Sequence, residues 1–469
     1  MQPAMRREGK IKHSTTHVIE TKGRPVRARA RRLTPEKIKI VKKWFEEALR
    51  NGDIRPSKSP WASPLHVTPK KGPEKWRICG DYRGLNAQTK PDRYPVPNLQ
   101  DFNLELDGAT IFSMIDIKRA YHQIPVAEED FEKMAIITPF GLFESVTMPF
   151  GLRNAAQTFQ RFLDSLFRDL PHVYVYIDDI LVTSCDETTH KKLMRTVLKR
   201  LHDAGIVINI AKCQYMKEKV VFLGHEVTKD GIKPDQSRVS AICEYPLPMV
   251  VRDLRRFTGV VNFYRRTIPH AAEIQRKLHT IIKTNKKNDQ TQLEWTEEAK
   301  GAFIEFKTAL ANATLLAHPK ENAELILSTD ASDSAIGGAL QQKVGKELQP
   351  LAFFSRKLSK AEKRYSTYDR EFLAIFASIK YFYNQLEGRQ FVVYTDHKPL
   401  QYAFVSQSEK ASPRVIRQLD FIAQFTTDIR YLPGPENVPA DALSRIAALQ
   451  QVPELDYRAL QRHRKKTQS

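Results

Sequence analysis

Cysteine is scarce in this chain: four in 469 residues, at Cys79, Cys185, Cys213 and Cys243, with no CxxC pair among them. That excludes a disulfide-framed scaffold and a zinc knuckle or ribbon, and it fits a reducing compartment. Uninterrupted apolar runs of about 18 residues are also missing, which excludes a transmembrane helix. The opening residues, Met1-Gln2-Pro3-Ala4-Met5-Arg6-Arg7, lack the apolar centre of a signal peptide. The expected place of action is inside a cell or a particle. Neither Asp-Thr-Gly nor Asp-Ser-Gly occurs, so no aspartic protease is expected, and no internal repeat is visible. Acids are outnumbered as well. Against 75 Lys and Arg stand 54 Asp and Glu, a formal charge of +21. A surplus of that size favours a polyanionic partner, either nucleic acid or an acidic membrane surface.

What is present is an ordinary globular mix, 41% apolar and 28% charged, long enough for three domains or two large ones at roughly 150 residues each. The first 34 residues carry ten Lys or Arg and two acids, and read as an extended basic arm or a solvated linker. A helix follows: Thr34-Pro35-Glu36 resembles an N-cap with Pro at the first position, Ile38, Val41, Phe45 and Leu49 recur at helical spacing, and Asn51-Gly52 ends the pattern. Residues from about 60 to 235 alternate short β-rich and helical runs, the last strand-like run being Val220 to Leu223 before Gly224. Residues 236–320 read as helical. There Val251, Leu254, Phe257, Val260, Val261 and Phe263 form an apolar stripe, with Arg252, Arg255, Arg256, Arg265 and Arg266 on other faces. Those arginines are either a solvated face or a face laid along phosphates. From 321 to 446 a strand at Leu325-Ile326-Leu327, a helix with Phe372, Ile375, Phe376, Ile379 and Phe382, and a strand at Phe391–Thr395 suggest a separate α/β domain. Residues 447–469 form a basic tail.

The most informative stretch is Val173-Tyr174-Val175-Tyr176-Ile177-Asp178-Asp179-Ile180-Leu181-Val182. Two acids between β-forming runs predict a hairpin with Asp-Asp at or near its turn. An isolated Asp-Asp usually marks a solvated turn. Between apolar flanks, though, carboxylates are costly unless paired or bound to metal. A third acid, Asp116, interrupts a similar run, Ile111 to Ile117. Three acids on two adjacent strands suit a pair of divalent ions and nucleotidyl transfer.

With these residues in view, the chain resembles the reverse transcriptases. Tyr176-Ile177-Asp178-Asp179 resembles their YxDD box and Asp116-Ile117-Lys118-Arg119-Ala120-Tyr121 their upstream Asp motif. Trp76-Arg77 with Asp81-Tyr82-Arg83-Gly84-Leu85-Asn86, Met148-Pro149-Phe150-Gly151-Leu152 and Phe222-Leu223-Gly224-His225 agree. The wording is most similar to Ty3/gypsy-class long-terminal-repeat retrotransposons, over about residues 20 to 446. The resemblance implies that Asp116, Asp178 and Asp179 are metal ligands, that Lys70 and Arg77 contact the incoming triphosphate, and that Tyr121 is a steric gate favouring dNTPs. It also implies a nucleotide contact at Phe150 and Gly151. Phe150 departs from the Gln usual in retroviruses, so a polar contact through that side chain is not available. Phe222, Leu223 and Gly224 resemble the primer grip.

Four further acids, Asp330, Glu371, Asp396 and Asp441, are each ordinary at a strand end or helix start. Together, in the order D-E-D-D, they resemble the ribonuclease H catalytic and metal-binding set. Tyr431 stands where retroviral relatives often carry a His. It titrates near pH 10 and cannot copy an imidazole shuttle, so it either orients water or packs. The implied fold is an α+β right-hand polymerase of fingers, palm and helical thumb, followed by an α/β ribonuclease H-like domain. The implied function is RNA- and DNA-dependent DNA polymerase plus ribonuclease H on RNA–DNA hybrids. Two Mg²⁺ per active site, with Mn²⁺ as substitute, are expected as cofactors. RNA template, DNA primer and dNTPs are the expected partners, with no membrane. The chain is expected to be a piece of a Pol polyprotein, cytoplasmic and within a virus-like particle, either a monomer or a substrate-induced dimer. A domesticated, non-catalytic nucleic-acid-binding protein stays open as the rival, with the intact carboxylates counting against it. So does a polymerase whose nuclease is retired.

Overall fold

The computed structural model describes residues 11–69, 76–97, 102–284, 286, 288–404 and 413–433. They fall into two compact units, one reaching Leu223 and including 227–229, the other formed by 224–226 and the chain from 230 onward.

The first unit opens with a strap. Residues 11–33, part of the stretch read as an extended basic arm or a solvated linker, are fastened along the fold by contacts far away in sequence. Ile19 is buried, its N–H donates to Asp130 Oδ2 at 2.6 Å, and Lys133 Nζ donates to the Ile19 carbonyl at 2.8 Å. His17 Nδ1 lies 2.8 Å from Thr158 Oγ1, and Arg31 pairs with Asp81. Arg24, Arg27, Arg29 and Arg32 remain exposed. The Pro35–Arg50 helix follows, burying Val41, Phe45 and Ala48. Thr34 precedes it without a capping hydrogen bond from its side chain, and Asn51 closes it.

Two sheets carry the rest of this unit. One runs in the order Ile54–Pro56, Gly141–Ser145, Ile136–Thr138, Ser63–Pro69, Trp76–Gly80. The other runs Val173–Tyr176, Asp179–Ser184, Ile111–Asp116, Gln214–Lys217. The Ala155–Phe167 helix buries Phe159, Phe162, Leu163 and Phe167 at spacings of three and four, the stripe that a helix presents to a sheet. The Glu187–Asp203 helix is capped by Asp186, whose carboxylate accepts the Thr189 N–H at 2.9 Å. Two strands after Gly224, His225–Thr228 and Gly231–Pro234, correct the expectation that strands end at Leu223.

In the second unit four helices lead, Gln236–Cys243, Val251–Asn262, Ala271–His279 and Glu297–Ala311. Val251, Leu254, Phe257 and Val261 are buried, but Val260 and Phe263 are each 44% exposed. At 100° per residue those two positions rotate off the stripe, which corrects the six-residue face read from the sequence. A five-stranded sheet follows in the order Glu347–Lys357, Ala335–Val344, Glu324–Ala331, Phe391–Thr395, Ile429–Tyr431. The first three strands are antiparallel, and the last two run parallel to Glu324–Ala331. The Thr367–Tyr381 helix covers one face, setting Phe372, Ile375 and Ile379 against Leu325, Leu327, Leu340 and Val393.

Candidate active sites

The first acidic site is built by register. Tyr176 pairs with Asp179 across an antiparallel hairpin, leaving Ile177 and Asp178 as a two-residue turn. Ile177 has φ +54°, a strained setting for a β-branched residue. Gln160, buried in the Ala155–Phe167 helix, holds it there. Its Oε1 accepts the Ile177 N–H at 2.8 Å, and its amide donates to the Val175 carbonyl at 3.1 Å and Asp164 Oδ1 at 2.8 Å. The Ile111–Asp116 strand pairs on the other side with Asp116 opposite Asp179, and the Ile117 N–H donates to the Asp178 carbonyl at 3.1 Å. Three acids thus leave two neighbouring strands at one end of the sheet.

Their electrostatics are unbalanced. Partial burial raises the Asp178 carboxyl above the usual carboxylate range, and the Asp116 charge adds to it, while its own backbone N–H and Lys212 pull it down. Lys212 Nζ lies 3.1 Å from Asp116 Oδ2. Lys212 thus offsets part of the charge that Asp116 and Asp178 bring together, and a divalent cation would offset more of it. Asp116 and Asp178 line a cleft of about 680 Å³, together with Arg77, Lys118, Arg119, Phe150 and Lys212. The acids therefore face a space with basic walls, as a ligand carrying several phosphates would require.

Of the other residues singled out from the sequence, Arg77 and Phe150 line this cleft, while Phe222 and Leu223 line another. Tyr121 is half-buried, its ring 5.2 Å from Phe150 and 5.9 Å from Phe159. Burial, then the charge of Asp178, pushes its hydroxyl up to about 12. Phe150 lines the cleft beneath the Arg77 guanidinium, 5.6 Å from the ring centre. Gly151 has φ +99°, and its carbonyl accepts Asn86 Nδ2 at 2.8 Å. Phe222 is buried against Phe102, 5.3 Å between rings. With Leu223 it lines a second cavity of about 500 Å³ beside Tyr174 and Tyr176. Leu223 at φ +50° and Gly224 at φ +84° make two successive left-handed residues, which only glycine adopts without cost. Lys70 lies outside the described residues.

The second acidic site is tighter. Thr329 and Thr395 are partners on parallel strands, so Asp330 and Asp396 follow side by side. Asp330 faces Gly337 on the antiparallel neighbour. The helix brings Glu371 over them, 4% exposed, with Oε1 accepting the Ala331 N–H at 3.2 Å and Oε2 buried without a partner. One carboxylate oxygen from each of the three lies within 4.8 Å of the others. Among the described residues this is the one such trio of His, Cys, Asp or Glu found. Burial first, then the charges of Asp330 and Asp396, pushes the Glu371 carboxyl up to about 9. Burial, then Asp396, raises Asp330 too. An orphaned buried oxygen among like charges is what a divalent cation satisfies, so the donor set fits a metal. Tyr431 sits opposite Thr395 on the neighbouring strand, 36% exposed. Asp441 lies outside the described residues.

Two residues escaped the sequence reading. Gln160 has no local pattern that marks it. Lys212 is one lysine among many, and only its distance to Asp116 singles it out.

Comparison with known proteins places this geometry. Residues 68–227 match the family described as reverse transcriptase (RNA-dependent DNA polymerase), and residues 295–393 match the RNase H-like domain found in reverse transcriptase. The retrovirus-related Pol polyprotein from transposon 297 of Drosophila melanogaster is 38% identical over 412 residues, covering 87% of this chain and 38% of the relative. The Tf2-3 transposon polyprotein of Schizosaccharomyces pombe is 35% identical over 419 residues, covering 88% and 31%. The chain thus spans well under half the length of these curated relatives. Among solved structures, the foamy viral protease-reverse transcriptase in complex with dsDNA matches with TM-score 0.77 at 20% identity, over 96% of this chain and 90% of that one. A foamy viral complex with RNA/DNA hybrid matches with TM-score 0.75 at 21% identity, over 94% and 58%. The shared fold is fingers, palm and thumb with an RNase H-like domain. The chain belongs to the reverse transcriptase family, carrying polymerase and RNase H-like domains as in Pol polyproteins of Ty3/gypsy-type retrotransposons.

Proposed function

We propose that this chain is an RNA- and DNA-directed DNA polymerase that also cleaves the RNA strand of RNA–DNA hybrids. The observation that carries the reading is the pairing of Asp116 with Asp179, which brings a third acid, Asp178, to a cleft with basic walls. Names of the relatives and the hybrid-bound foamy viral structure support it. Residues 35–235 are read as fingers and palm, 236–320 as thumb and connection, and 321–446 as the nuclease.

Asp116, Asp178 and Asp179 at one site, and Asp330, Glu371, Asp396 and Asp441 at the other, would hold Mg²⁺, with Mn²⁺ as substitute. Bound there, such ions lower the pKa of an attacking 3′-hydroxyl or water and neutralise the departing oxygen. The protein's own contribution is positioning and charge. Arg77 and Lys70 offset the triphosphate, and Lys212 moderates the repulsion between the acids. The Tyr121 ring fills the space that a ribose 2′-hydroxyl needs. Phe150 offers its face rather than a hydrogen bond, and Leu223 and Gly224 bring backbone to the primer. Tyr431 orients water beside the nuclease acids. Template, primer and dNTPs are the substrates, and a cytoplasmic particle is the setting.

The test is extension of a DNA primer on an RNA template with dNTPs and Mg²⁺. Full-length DNA with progressive loss of template supports the reading. Tight hybrid binding with no incorporation in Mg²⁺ or Mn²⁺ identifies a non-catalytic binder instead.

A further inference from the structure

The second unit holds a groove of about 500 Å³ that neither acidic site uses. Its walls are the Ala271–His279 helix and the end of the edge strand Glu347–Lys357. Arg265, Arg276, His279, Arg356 and Lys357 line it, and no acidic side chain does. Two of these cations are committed to structure. Arg265 donates to the Ser355 carbonyl, and Arg356 pairs with Glu362 at 3.0 Å. Arg276 and Lys357 have no ion-pair partner among the described residues. Arg276 Nε is buried without a hydrogen-bond partner. The His279 ring is held below its ordinary pKa by burial first, then by the charges of Lys357 and Arg255, so the groove's own field is positive. At its rim Tyr381 is 38% exposed, with the Arg266 guanidinium 5.2 Å from its ring centre and Arg266 Nε 3.1 Å from its hydroxyl.

Leaving cations together without counter-charge is unfavourable unless an anion is supplied from outside. We propose that this groove is a phosphate-binding track for one strand of bound nucleic acid, with Arg276 and Lys357 as its contacts. Its two contacts lie beyond the arginine-rich Val251–Asn262 helix that the sequence pointed to, although Asn262 and Arg265 also line the groove. A phosphodiester chain fits because it offers repeated single negative charges to spaced cations and sugars or bases to an exposed ring. Inorganic phosphate shares the chemistry but has no use for the Tyr381 rim.

The inference rests on the reading that this chain binds nucleic acid, and the test separates the two. Affinity of the full chain for an RNA–DNA hybrid is measured by anisotropy over a range of salt. The double variant Arg276→Ala/Lys357→Ala is expected to flatten the slope of log K against log salt by about 2, at ~0.9 per contact. Arg276→Lys/Lys357→Arg should restore it. Lys346→Ala/Lys360→Ala, which removes two exposed charges outside the groove, should leave the slope nearly unchanged. An unchanged slope in the groove variant, or an equal loss in the control, overturns the track. So does loss of inorganic phosphate binding in the groove variant with hybrid affinity intact, which identifies a small-anion site. Absence of hybrid binding by the wild type overturns the functional reading itself.

Discussion

The two acidic sites solve one problem, keeping like charges together, by different means. In the first site the acids sit at a hairpin tip and a strand end, and Lys212 reaches Asp116 and tempers the repulsion. In the second site three carboxylates converge within 4.8 Å, one of them nearly fully buried, with no lysine or arginine in an ion pair with any of them among the described residues. The first site is balanced in part by Lys212, while in the second, burial and the charges of Asp330 and Asp396 push the Glu371 carboxyl up to about 9. The contrast teaches that cation demand depends on how deeply the fold buries the acids as much as on how many there are.

Removing divalent ions is the harshest way to probe that contrast. Chelation should stop both primer extension and template cleavage, a loss of at least roughly a thousandfold in each, with activity returning on adding Mg²⁺. A site that works in chelator is not the site described. Next in size, Tyr121→Ala touches only the polymerase. Discrimination between dNTP and NTP, read from single-nucleotide incorporation, should fall about tenfold to a hundredfold, with cleavage unaltered. Unchanged discrimination would leave Tyr121 as a packing residue of Phe150 and Phe159.

The second site has the sharper pH signature. A carboxyl whose folded pKa stands near 9, against 4.5 when unfolded, binds an extra proton in the folded state. Its destabilising effect is absent below about pH 4.5 and grows as pH rises toward 9. In chelator, Glu371→Gln should therefore melt a few degrees above wild type at pH 8, by roughly 2–4 °C, and the gap should close toward pH 5. Adding Mg²⁺ should raise the melting temperature of the wild type more than that of the variant. A gap independent of pH would mean that the buried carboxyl is not the cause. The smallest effect is expected at Lys212. Its side chain is 65% exposed, so solvent screening limits the pair to a modest energy. Lys212→Ala should lower the Mg²⁺ concentration that half-saturates extension by about twofold to fivefold, and leave the Mg²⁺ dependence of cleavage alone.

The sequence was most readable where chemistry interrupts a strong pattern. Asp178 and Asp179 stand out because two apolar runs frame them, and Asp116 because it breaks another. Both fall where the alternation of strands predicts. Glu371 was visible beside the stripe of Phe372, Ile375 and Ile379. What stayed hidden was non-local. The strap at 11–33 looks like a charged tail, because the groups that pin it, Asp130, Lys133 and Thr158, lie more than a hundred residues on. The hairpin of Ala335–Val344 and Glu347–Lys357 was unmarked, since Gln341 and Gln342 are polar yet buried and blur the alternation. Gln160 supports the catalytic turn from a helix whose sequence shows only a packing stripe.

The central claim is that the chain carries two chemically independent acidic sites. The direct measurement follows primer extension and cleavage of a labelled RNA template in the same tube for two variants, Asp178→Asn/Asp179→Asn and Glu371→Gln. The account predicts that the first loses extension and keeps cutting, and that the second extends normally and leaves the template whole. Loss of both products in either variant, with hybrid binding retained, would contradict it.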